Sequence, residues 1–138
     1  MKLLRERAGI TLLLVAILAL PACGALRERS VCRQYEDFQA VVAEVRELDP
    51  TTATAEDVTV LVDDVLAELE QLQAASDGAY GAVISQLRSS LTEFREAAFA
   101  LSTTELETAR PLLEERWQDV VTDYQVLTQR LDVVCPTD

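Results

Sequence analysis

The chain has 138 residues, with 24 acidic side chains against 12 basic ones and no histidine, for a formal net charge of −12. This balance argues against nucleic acid as a partner, and the missing imidazole excludes Ser-His-Asp and Cys-His catalysis and histidine-bearing zinc sites. Apolar residues make up 49% of the chain, are almost wholly aliphatic and recur with a helical period, so the expected fold class is all-α.

The N-terminus holds Lys2, Arg5 and Arg7, diluted by Glu6, ahead of an uncharged run from Ala8 to Leu20. A basic flank followed by a short apolar run is the pattern of a signal peptide. The run is shorter than the about 20 apolar residues a membrane-spanning helix needs. It closes on Leu20-Pro21-Ala22-Cys23-Gly24, which resembles the lipobox of bacterial lipoprotein signal peptides. Leu20 and Ala22 fit that pattern and Pro21 departs from it. The resemblance implies removal of residues 1–22, lipidation of the Cys23 thiol, and an exported protein held at the cell membrane, facing outside the cytoplasm. Ordinary signal-peptidase cleavage and an uncleaved anchor are the alternatives. The resemblance covers the leader only and implies nothing about the activity of the mature domain.

Three cysteines are an awkward number for an exported protein, because one is left over. Lipidation of Cys23 would remove the oddity and leave Cys32 and Cys135 as a pair, which an oxidising compartment usually turns into a disulfide. Without the leader the charge becomes more extreme: nine basic residues, all arginine, face 23 acidic ones, a net of −14. Such a body, read as lacking a basic patch, is unsuited to lying flat on anionic headgroups, so its membrane contact is expected to come from the lipid.

After a linker over 23–30, four amphipathic segments follow. The first runs from about Ser30 to Leu48 with Val31, Tyr35, Phe38, Val42, Val45 and Leu48 on one face, and ends at Asp49-Pro50. The second starts at Thr54, an N-cap candidate with Asp57 three residues on, and reaches Ala75 through Val58, Leu61, Val65, Leu69 and Leu72. The third follows Asp77-Gly78 and presents Tyr80, Val83, Leu87, Leu91, Phe94, Ala98 and Leu101. The fourth opens at Ser102 to Thr104, where Glu105 and Glu107 satisfy capping-box spacing. Its face is Leu106, Ala109, Leu113, Trp117, Val120, Tyr124, Leu127, Leu131 and Val134. The apolar phase carries through Pro111, which favours one kinked helix over a second helix capped by Thr108.

None of these segments is stable alone, so they must share a core. A bridge between the start of the first helix and the end of the last requires an even number of alternating helices. The expected fold is therefore an up-down-up-down four-helix bundle over 31–135, closed by one disulfide. Its disulfide end and the Ala75 to Gly81 turn should face the membrane.

Candidate chemistry is sparse. Glu115, Asp119 and Asp123 align at i, i+4 and i+8, a stripe read as solvated surface rather than a metal or acid-base site. Asp63 and Asp64 diverge as sequence neighbours, and Gly78 with Gly81 lack the spacing and lysine of a phosphate loop. Thr51, Thr52 and Thr54 beside Pro50 are either sugar acceptors or plain loop. The sequence thus leads to a non-enzymatic, membrane-anchored envelope lipoprotein, an interaction or scaffold module with an envelope protein as partner. No catalytic residue, metal or cofactor is expected. The alternative is a carrier or sensor of a hydrophobic ligand held between the helices, where Trp117, Tyr35, Tyr80 and Tyr124 would line a cavity instead of filling a core.

Overall fold

The computed structural model describes residues 2–47, 54–101 and 106–136, with side chains over 24, 26–47, 54–101 and 110–136. Four helices follow one another: α1 (Lys2–Glu47), α2 (Ala55–Ala75), α3 (Gly81–Leu101) and α4 (Leu106–Leu131). They pack in sequence, α1 on α2, α2 on α3 and α3 on α4. Cys32 and Cys135 are bonded, with their Cα atoms 5.3 Å apart, which joins the first and last helices at one end. The four-helix bundle closed by a disulfide is the architecture the periodicity and cysteine pairing predict.

Local chemistry explains the boundaries. Thr54 is extended and caps α2 with a reciprocal pair of bonds: Asp57 N–H donates to Thr54 Oγ1 at 3.2 Å, and Thr54 N–H donates to Asp57 Oδ2 at 2.8 Å. At the other end Ser76 N–H returns to the Leu72 carbonyl at 3.0 Å, and the chain then turns through Asp77 and Gly78 at φ 52° and 78°. Glycine takes that left-handed conformation freely, and the short polar side chain of aspartate tolerates it. The helix α4 runs unbroken through Pro111. It ends at Leu131, whose carbonyl accepts from both Val134 N–H and Cys135 N–H. The expected helical register of Val134 is therefore lost, and its side chain is 40% exposed instead of lying on the core face.

The largest departure is at the start. Residues 24–30, expected to be a linker, belong to α1, which continues back to Lys2. Ala25, Leu26, Arg27, Glu28 and Arg29 are all good helix formers, enough to carry the ladder across Gly24 and Ser30. Capping by Ser102 to Thr104, and the contribution of Leu48, Leu106 and Ala109 to the core, lie outside the described side chains.

Within the bundle, Tyr35, Phe38, Leu69, Leu72, Ile84, Leu87, Leu127 and Leu131 are fully buried, at about 1.5–3 kcal/mol for each large aliphatic or aromatic side chain removed from water. Two core positions differ from the periodic reading: Val62 is buried where Leu61 was expected, and Ile84 where Val83 was. Phe94 and Trp117 meet at 5.3 Å between ring centroids on α3 and α4, and Phe38 and Tyr124 at 6.0 Å across α1 and α4. Exposed ion pairs tie neighbouring helices, Arg95 to Asp63 at 2.6 Å and Arg116 to Glu93 at 2.8 Å, each worth at most about 1 kcal/mol.

Candidate functional site

Three places in the bundle gather chemistry. The first is the disulfide end. Cys135 is buried and Cys32 half-buried, and beside them Tyr35 donates its phenol proton to Asp132 Oδ1 at 2.7 Å. Burial of the ring, followed by the hydrogen bond to Asp132 and that group's charge, pushes the Tyr35 hydroxyl well above its ordinary range. The phenol is thus a neutral donor fastening α1 to the segment after α4, and is unavailable as an acid or base near neutrality. Arg27 approaches Asp77 at 3.6 Å, so the α2–α3 turn lies at this same end, as the topology predicts. Cys23 stands nine residues before Cys32 on α1; its side chain is outside those described.

The second place lies between α1 and α4, beside the contact of Phe38 with Tyr124. A cavity of about 140 Å³ opens there, lined by Val42 and Val45 of α1, Val65 of α2, Leu91 of α3, and Trp117 and Val120 of α4. At its edge the Arg46 guanidinium sits 5.6 Å from the centroid of the Tyr124 ring. Desolvation raises the Tyr124 hydroxyl, against the opposing charge of Arg46. The space is close to that of an engineered cavity of about 150 Å³ that admits benzene, and below the roughly 300–1,000 Å³ of sites that enclose drug-sized ligands. Most of the aromatic surface flagged in the sequence is spent on packing: Tyr35 is buried, and Phe38 and Phe94 close on Tyr124 and Trp117.

The third is a polar groove of about 290 Å³ between α3 and α4, where Gln86, Ser90 and Glu93 face Asp119, Thr122 and Asp123. Here the acidic stripe divides. Glu115 is exposed, Asp119 lies 3.7 Å from Arg116, and Asp123 accepts a hydrogen bond from the hydroxyl of buried Ser90. Asp123 is thus an interhelical acceptor as well as a surface group. Ser90 carries no apolar signal and is invisible to a periodicity argument. Among the described residues no three side chains of metal-ligating type are gathered to hold an ion. Asp63 is paired with Arg95 and Asp64 is exposed, so the two do not act together. Thr54 is spent on capping α2, and Thr51 and Thr52 lie outside the described residues.

Among the described residues no helix is long and apolar enough to cross a membrane. Comparison with protein-family models, with curated proteins and with solved structures finds no match for this chain.

Proposed function

We propose that this protein is a lipid-anchored, non-enzymatic interaction module of a bacterial cell envelope, attached through Cys23 and presenting an acidic helical surface to another envelope protein. The observation that carries this reading is the pairing of Cys32 with Cys135, which leaves Cys23 as the one cysteine outside the bridge, in the Leu20-Pro21-Ala22-Cys23 context. Support also comes from position, since Cys23 precedes the bridged end of the bundle along α1. Metabolic labelling with a clickable fatty acid tests it: the parent should label and Cys23→Ala should not. A variant that still labels sinks the anchor. In-cell crosslinking followed by mass spectrometry should then recover a protein partner.

A carrier of a hydrophobic ligand is the second reading, and the α1–α4 cavity is the observation that favours it. Its volume suits a small apolar group about the size of benzene rather than a whole lipid. Native mass spectrometry of the purified protein separates the two readings, because a carrier should retain a bound small molecule and an interaction module should not.

A further inference from the structure

The cavity between α1 and α4 changes character from its depth to its rim. Val65, Leu91 and Val120, from three different helices, are buried and form an apolar floor. Arg46 of α1 and Gln125 of α4 are exposed and stand at the rim, and Arg46 is the one charged residue of the lining. Its guanidinium lies over the Tyr124 ring, and among the described residues it makes no ion pair with a carboxylate. Glu44 and Glu47 are its neighbours along α1, but residues one and two positions apart do not face one another on a helix; Asp49 lies outside the described residues. Across the cavity, the residues three and four positions either side of Gln125 are Val121, Thr122, Thr128 and Gln129, none of them acidic. A cation at the mouth of an apolar space, on an otherwise acidic body, gives this place a polarity of its own.

We infer that the cavity takes a small amphiphilic carboxylic acid, its ring or short branched chain on Val65, Leu91 and Val120 and its carboxylate at Arg46. The inference rests on the carrier reading, since it needs a cavity that admits a guest. Pockets that bind small molecules combine apolar walls with a few polar groups that fix orientation, and a guanidinium matches the planar fork of a carboxylate. Only the apolar part has to be enclosed, so the volume of about 140 Å³ suits a single ring and excludes a long acyl chain. The acidic body opposes an anion at long range, a repulsion that salt screens beyond about 8 Å at about 0.15 M. Because Arg46 is exposed, its pair with the carboxylate should tighten binding by about threefold to fivefold.

The test follows the emission of Trp117, the single tryptophan of the chain and a wall of the cavity. The full chain, in phosphatidylcholine vesicles at about 0.15 M salt, is titrated with sodium benzoate and with benzamide, a neutral molecule of nearly the same shape. Sodium chloride is the control for ionic strength. Both ligands should change the emission saturably, benzoate with the tighter Kd by about threefold to fivefold. Arg46→Gln should bring benzoate to the benzamide value and leave benzamide unchanged, with a melting curve to confirm that the variant is folded. Equal affinities in the parent, or a benzoate preference that survives Arg46→Gln, overturn the inference and keep the carrier reading. No saturable change with either ligand overturns both.

Discussion

Replacing Cys32 and Cys135 by serine opens a covalent loop with a sequence separation of 103 residues, most of the 138-residue chain. In the chain-entropy account a loop of that length removes about 4.7 kcal/mol of freedom from the unfolded state. The unfolding entropy is about 2.1 cal/mol/K per residue, so for roughly 110 residues the loss corresponds to a fall in Tm of about 20 °C. The figure is large against the total stability of about 5–15 kcal/mol typical of a domain. Circular dichroism melts of the oxidised parent, the reduced parent and the double variant provide the assay. The last two should coincide well below the first. A double variant melting within about 3 °C of the oxidised parent would refute the reasoning, since a loop this long cannot be closed without constraining the unfolded chain.

Three further outcomes are expected. Leu69→Ala, at a fully buried position in α2, should cost about 2–5 kcal/mol by urea denaturation, whereas Val60→Ala on the exposed side should stay within about 0.5 kcal/mol. The Tyr35 hydroxyl is raised by burial and by Asp132, so its stabilising effect is complete below the unfolded tyrosine value of about 10 and is lost as pH rises above it. Stability measured across the alkaline range should therefore fall, and Tyr35→Phe should fall less steeply; parallel curves would count against the Tyr35 account. The Oε1 atom of Gln34 is buried without a hydrogen-bond partner, so Gln34→Met should stabilise the bundle by about 1 kcal/mol in the same denaturation assay, and a loss would show that the amide is satisfied.

The helical period and the cysteine pairing make the bundle legible in the sequence, because each acts over a long stretch and tolerates local error. Where two apolar residues are adjacent, periodicity alone permits either phase. Leu61 with Val62 and Val83 with Ile84 are such pairs, and in both the second residue is the buried one. The contribution of Ser90 is illegible because a buried hydroxyl is justified by a carboxylate on another helix, a tertiary fact with no local trace. The cavity between α1 and α4 depends on how helices settle against one another, which side-chain patterns constrain weakly.

The continuity of α1 through residues 24–30 changes what kind of attachment Cys23 would provide. Seven extended residues would act as a slack cord with a reach of about 25 Å, able to let the body tumble. Seven helical residues advance only about 10 Å and resist bending. From Cys23 to Glu47 the same rod spans about 36 Å, so with an anchor on Cys23 a tilt imposed there would become a sideways sweep at the far end, and one stiff stalk would set the bundle's height and attitude together.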